Sequence, residues 1–303
     1  MISVIIAAYN PQRAALAGTL SALKAQTLEV AAWELIIVDN NSTNGFVDKL
    51  DLSWQPNSRV ISEPRQGLTF GRLAGVDAAK GELIVFVDDD NALDQDYLRQ
   101  VNYYFAAEEQ LGVAGGRIIG EFPGYEPPDW TRPFWAMLAI RDLGTLPLRA
   151  VDLGNGYPFC APVGAGMAVR KSLLAAYADA VRSATVVISD RSGSNLSSGG
   201  DNEIVIFVLQ QGFAAAYFPG LELRHRIPEE RLTRFYLGRL NYASSRSWVQ
   251  LLQKHDLSPW PRISRITRPL RKLRLWLWAK PWESDASYIH WRGACGKLDG
   301  LSE

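Results

Sequence analysis

Three consecutive carboxylates, Asp88-Asp89-Asp90, stand at the end of the apolar run Leu83-Ile84-Val85-Phe86-Val87. Adjacent acids repel one another unless a cation neutralises them. Oxygen ligands of this kind suit Mg²⁺ or Mn²⁺ held through one or two carboxylates plus substrate phosphates. The bland reading of an isolated triplet is a solvated acidic turn capping a helix near Asp94. Asp39 closes a second apolar run, Leu35-Ile36-Ile37-Val38, and Asp201 opens a helix-like stretch after a Ser/Gly-rich segment. By position alone the first is a strand-end turn and the second an N-cap. His225, one of only three histidines, lies within Phe218 to Pro228 and is expected to end a short strand before a helix. Its imidazole can complete a carboxylate-and-phosphate metal shell, or serve as a structural hydrogen-bonder.

Alternation of short β-rich runs with amphipathic stretches supplies the frame for these groups. Strands are predicted over 3–8, 35–39, 59–62 and 83–87, and helices over 12–26, 67–79 and 94–108. This is the signature of an α/β domain with a mostly parallel central sheet and covering helices. Ligands of such sheets gather at the carboxyl ends of strands, where Asp39 and the acids 88–90 fall. After Gly120 the Pro- and Gly-rich stretch Phe122 to Trp130 predicts a loop near an acceptor. Residues 189–200 are Ser/Gly-rich and predict a segment closing over substrate or a plain surface loop. Further helices are expected over 202–211, 229–254 and 270–277, with Pro269 setting the earliest start of the last. Gly164-Ala165-Gly166 predicts close backbone packing before a strand, with Met167 and Val169 in the core and Arg170-Lys171 solvated.

Ordered segments carry a family resemblance over about 3–237. They are Ser3-Val4-Ile5-Ile6-Ala7-Ala8-Tyr9-Asn10, Glu34-Leu35-Ile36-Ile37-Val38-Asp39-Asn40-Asn41-Ser42, and Gly67-Leu68 through Gly81 followed by Asp88 to Asp90. Gly164 to Lys171 and Gly200-Asp201-Asn202-Glu203 complete the set. In this order they resemble family 2 of the glycosyltransferases, which has the GT-A fold. The resemblance implies an inverting, metal-dependent transferase. It would move one sugar from a nucleoside diphosphate donor, a UDP-sugar, to a hydroxyl of a glycan or lipid-linked saccharide. It further implies that Tyr9 lies against a pyrimidine, with Ala8 and Asn10 offering hydrogen bonds, and that Asp39 accepts from the base imide. Asp88 or Asp89 would hold the ribose and Arg72 would sit against the nucleotide. Asp90 and His225 would ligate the metal, Mg²⁺ or Mn²⁺, and Asp201 would be the general base. The family's usual Glu-Asp is Gly200-Asp201 here, which leaves Glu203 as a substitute base. The Gln-x-x-Arg-Trp motif of processive synthases does not occur. Two other readings stand beside this one: a nucleotidyltransferase, although no basic glycine-rich loop comes after the first strand, and a catalytically silent nucleotide- or glycan-binding relative.

Composition bounds the rest. The 303 residues are 47% hydrophobic and 21% charged, ordinary for a globular chain with a sizeable core. Formal net charge is +0, but 257–282 carries seven basic residues and no Asp or Glu. That stretch also holds Trp260, Trp276, Trp278 and Trp282, with Leu270, Leu273, Leu277 and Trp276 on one face of a helix. Lys/Arg with Trp predicts peripheral contact of 260–282 with an anionic membrane, or a basic helix packed on the catalytic domain. A nucleic-acid partner is not indicated. Two cysteines far apart argue for neither a disulfide framework nor a thiolate site, so a reducing, cytoplasmic setting is expected. The opening apolar run reads as a strand and not as a signal peptide, and no run reaches the ~20 residues of a bilayer span. The expected organisation is a catalytic domain over 1–228, with a nucleotide-binding half 1–120 and an acceptor-side half 121–228. A helical, basic extension completes the chain over 229–303.

Overall fold

The computed structural model describes residues 1–154, 156–183 and 199–303. Among them the chain forms two compact units. One comprises Met1–Glu121, 139–183 and Asp201–Arg226; the other contains Phe122–Leu138 and Ile227–Glu303, with 199–200. Most of the Ser/Gly-rich segment 189–200, expected to close over substrate or form a surface loop, lies outside the described residues.

The first unit is a mixed sheet with helices on both faces. Its elements are β1 (Ile2–Ala8), α1 (Arg13–Lys24), β2 (Trp33–Asp39), β3 (Ser58–Ser62), α2 (Leu68–Ala78), β4 (Leu83–Phe86), β5 (Asn91–Leu93), α3 (Tyr97–Ala107), β6 (Leu111–Glu121), β7 (Leu148–Ala150), β8 (Ala168–Arg170), α4 (Lys171–Ser183), α5 (Gly200–Gln210) and β9 (Ala214–Arg226). The strands run in the order β3-β2-β1-β4-β8-β6-β9-β5, with β7 paired to β9. From β3 to β4 every pairing is parallel, and β8 then enters antiparallel between β4 and β6. Near-continuous Val/Ile/Leu runs form the parallel half because both faces of those strands are covered. Val4, Ile6, Leu35 and Ile37 pack with α1 and α3 on one side. Ile5, Ile36, Val38 and Ile84 pack with α2, α4 and α5 on the other. Fully burying each such side chain contributes about 1.5–3 kcal/mol, which fixes the register and with it the strand ends.

At the amino ends of the same strands a buried polar network ties the sheet together. Glu34 accepts from the Ser3 hydroxyl, from the Lys80 N–H at 2.6 Å and from Arg59 at 2.7 Å. Burial opposes its ionisation. The Ser3, Lys80 and Arg59 contacts outweigh that penalty and hold its carboxyl below the ordinary range.

Several expectations change on the three-dimensional fold. The strand that carries His225 is long, thirteen residues, because β9 pairs with β5, β6 and β7 in turn. Arg170 and Lys171 are not solvated. Arg170 donates to the Phe105, Glu108 and Leu111 carbonyls, and Lys171 donates to the Ala79 carbonyl, so both cap neighbouring elements. Met167 and Val169 are fully buried, and a Cβ at Gly166 (φ +72°) would meet the Tyr97 ring and Leu223, which accounts for glycine there.

The second unit is helical. Phe122 packs on Tyr125 and Trp135, and residues Asp129–Leu138 wind as a 3₁₀ stretch. A short 3₁₀ turn, Glu229–Leu232, precedes α6 (Arg234–Lys254), which therefore begins later than 229. Thr233 caps it by accepting the Tyr236 N–H. Helix α7 (Arg268–Ala279) includes Pro269 in its first turn, where the missing N–H costs nothing, so proline opens this helix instead of bounding it. Helix α8 (Asp285–Leu301) packs along α6. Its Gly293, Gly296 and Gly300 lie against Asn241, the Tyr242 carbonyl and Val249, so this stripe permits the close approach of the two helices.

Candidate active site

The acids fall where the parallel strands end. Ala8 and Asp39 are register partners at the carboxyl ends of β1 and β2, and the Ala8 carbonyl accepts the Asn40 N–H at 2.9 Å. Asp39 is half-buried and accepts the Ser42 N–H at 2.9 Å. Tyr9 is exposed. Asn10 takes a left-handed backbone (φ 47°), and its side-chain oxygen accepts the Thr43 and Asn44 N–H groups. That oxygen organises the turn after β2. Asn40, given no role from sequence, is buried and donates to the Glu63 and Arg65 carbonyls while accepting the Gly67 N–H at 2.7 Å. It thereby fixes the start of α2 beside the β1 and β2 ends.

Within the acidic triplet, Asp88 is met by an arginine and Asp90 by a histidine and an asparagine. Arg72, buried on α2, pairs with Asp88 at 3.3 Å and lies over the Phe86 ring. Asp90 lies 3.4 Å from His225 Nε2 and accepts from Asn91 Nδ2 at 3.1 Å. Asn91 is fully buried, and its side-chain oxygen also faces the Asp88 N–H at 3.4 Å. This residue pins two of the three acids and gave no signal of its own in the sequence. Asp89 is half-buried between them. His225 comes to Asp90 because Asn91 and His225 are register partners across β5 and β9.

Asp201 stands in the first turn of α5. Its carboxylate accepts the Gly164 N–H at 2.8 Å and the Asn202 N–H at 2.9 Å. The Arg72 guanidinium occupies the space where a Cβ at Gly164 would lie, so Asp88, Arg72, Gly164 and Asp201 form one continuous contact. Glu203, the substitute base, is buried and accepts from the Tyr177 hydroxyl at 3.2 Å, inside the core. The buried Tyr157 hydroxyl lies within reach of the Asp201 charge. Burial first, and that charge second, push its pKa well above the usual phenol value and keep it protonated.

Among the described residues no group of three or more His, Cys, Asp or Glu side chains is arranged to hold an ion. Asp90 and His225 are a carboxylate and imidazole pair that fits Mg²⁺ or Mn²⁺ where substrate phosphates complete the shell.

A doubly covered mixed sheet with carboxylates at the ends of its parallel strands, entered by an antiparallel β8 beside them, is the arrangement of the GT-A fold. The family described as Glycosyl transferase family 2 matches residues 3–172, more than half of the chain, and the chain belongs to it. Residues 1–349 of S. aureus TarS match with a TM-score of 0.55 at 15% identity, covering 99% of this chain and 88% of that one. The same protein in complex with UDP-GlcNAc matches with a TM-score of 0.54 at 15% identity, covering 99% and 89%. At this identity the likeness shows the fold. The poly(ribitol-phosphate) beta-glucosyltransferase of Bacillus spizizenii is 30% identical over 123 residues, 39% of this chain and 19% of that protein. The chain spans less than a third of the length of the curated relatives it matches.

Proposed function

We propose that the chain transfers a single sugar, with inversion, from a UDP-sugar to a hydroxyl of a glycan or lipid-linked saccharide. The observation that carries this reading is the continuous contact from Asp88 through Arg72 and Gly164 to Asp201, which brings a donor-side acid and a candidate base to one end of the sheet. The acceptor hydroxyl oxygen attacks the anomeric carbon as its proton passes to the Asp201 carboxylate. The bond from that carbon to the diphosphate oxygen breaks, and the nucleoside diphosphate leaves. Tyr9 stacks on the uracil, Ala8 and Asn10 line its edge, and Asp39 accepts the imide N–H. Asp88 or Asp89 holds the ribose, and Arg72 keeps Asp88 in place. Asp90 and His225 are the metal ligands. A bound Mg²⁺ or Mn²⁺ supplies positive charge against the departing diphosphate. The UDP-GlcNAc complex of S. aureus TarS, a protein of the same fold, supports a uridine donor. A lipid-linked acceptor accords with peripheral contact between 260–282 and the inner face of a membrane.

Thermal denaturation with nucleotides is the test. UDP or a UDP-sugar is expected to raise the melting temperature only with Mg²⁺ or Mn²⁺, through mass-action linkage. Stabilisation by CTP or ATP, with no response to any nucleotide sugar, would favour a nucleotidyltransferase instead.

A further inference from the structure

Helix α7 is amphipathic in the reverse sense. The residues turned toward α8 are Arg268, Lys272, Leu275 and Ala279, the half-buried stripe at helical spacing, and none of the helix's side chains is fully buried. Arg268 and Lys272 reach the buried Asp299 on α8 at 3.5 and 2.7 Å. Burial of Asp299 opposes its charge, yet the Lys272 and Tyr242 hydrogen bonds and the Arg268 charge outweigh it and hold the carboxyl below the usual range. Arg268 and Lys272 thus fasten α7 down, while Arg271 and Arg274 stay exposed. Its leucines face out: Leu270, Leu273 and Leu277 are 54%, 55% and 57% exposed, and at 100° per residue they occupy one narrow arc. Exposed Trp278 lies on one flank with Arg271 and Arg274, and Trp276, its ring tilted against that of Trp282 at 4.5 Å, lies on the other.

From this arrangement we infer that α7 is a membrane-docking helix that lies in the plane of an anionic bilayer, with Leu270, Leu273 and Leu277 inserted and Arg271 and Arg274 on the headgroups. Charge selects the occupant. The stretch 257–282 contains no acidic residue, so its exposed guanidinium groups match anionic lipid, whereas pairing two copies through this face would bring like charges together. Length selects the orientation, because twelve residues span only ~18 Å, well short of a ~30 Å hydrocarbon core. No helix among the described residues is long and apolar enough to cross a membrane. Indoles beside the leucine arc sit at the depth they favour, the interface. The inference deepens the transfer reading by naming where a lipid-linked acceptor is met, and it rests on that reading only for its purpose.

The experiment is vesicle flotation of the full chain without donor or acceptor, so its outcome is independent of transfer. Phosphatidylcholine vesicles with and without phosphatidylglycerol are compared at low and high salt. Binding is expected to the anionic vesicles at low salt and to weaken at high salt. The triple change Leu270→Gln, Leu273→Gln and Leu277→Gln is expected to reduce partitioning by at least about tenfold. Arg271→Gln with Arg274→Gln should cost about fivefold per residue. These positions are exposed, and unchanged melting temperatures confirm folded variants. Unaltered flotation of the triple variant would overturn the inference. So would equal binding to neutral vesicles, or a dimer abolished by the leucine changes in a chain that binds no vesicle.

Discussion

Gly164 donates its backbone N–H to Asp201 at 2.8 Å, while the Arg72 guanidinium fills the opposite side of the same glycine. A Cβ at 164 would stand 2.7 Å from Arg72 Nη2, so either Arg72 must leave Asp88 or the 164 backbone must leave Asp201. Gly164→Ala is therefore expected to lower kcat/KM by about 10²-fold, the scale of an ångström's misplacement of a reacting group. UDP release under steady-state conditions measures it, with circular dichroism as the check on folding. Near-normal turnover would show that the contact positions nothing.

Asp201 and Asp90 serve different steps in the proposed mechanism, and substitution should separate them. Asp201→Asn is expected to reduce turnover by about 10²–10⁴-fold with donor affinity nearly unchanged. Asp90→Asn should also weaken metal-dependent UDP binding, read by calorimetry with and without Mn²⁺. Full turnover of Asp201→Asn would remove it as the base. The buried position of Glu203 makes that residue a poor replacement.

Acid should expose the Glu34 network. Its folded carboxyl titrates below the ordinary value of 4.5, so its stabilising contribution is complete above that value and is lost as pH falls through the depressed one. Glu34→Gln is expected to melt lower than the parent chain at neutral pH. Its melting temperature should decline less steeply on acidification below about pH 4.5. Parallel acid limbs for the two proteins would mean the network adds no pH-dependent stability.

The glycine stripe of α8 gives a prediction for the helical unit. A Cβ at Gly296 would lie 2.1 Å from the Tyr242 carbonyl oxygen on α6, a backbone atom that cannot swing aside. Gly296→Ala raises helix propensity by about 1 kcal/mol but should still destabilise by about 1–3 kcal/mol through overpacking. Urea unfolding would show it as a lower midpoint. An increased midpoint would mean that α6 and α8 part at little cost.

The sequence by itself determined the elements whose signals are local. Runs of Val, Ile and Leu specified β1, β2 and β4, the last two leading into Asp39 and Asp88, and the ordered motifs specified the fold and the family. Pro269 misled, because it opens α7 instead of bounding it, while the role of Gly293, Gly296 and Gly300 in fitting α8 to α6 carried no local signal. The length of β9 was hidden because it depends on pairing with strands more than fifty residues away. Only the tertiary structure decided which polar groups are already spoken for. The Asn10 side-chain oxygen is committed to a turn, Arg72 to Asp88, Asn91 to the acidic triplet and Glu203 to the core. Only it, too, decided that α7 turns Arg268 and Lys272 inward and Leu270, Leu273 and Leu277 out, because helical spacing defines the faces of a helix while packing partners decide which face is covered.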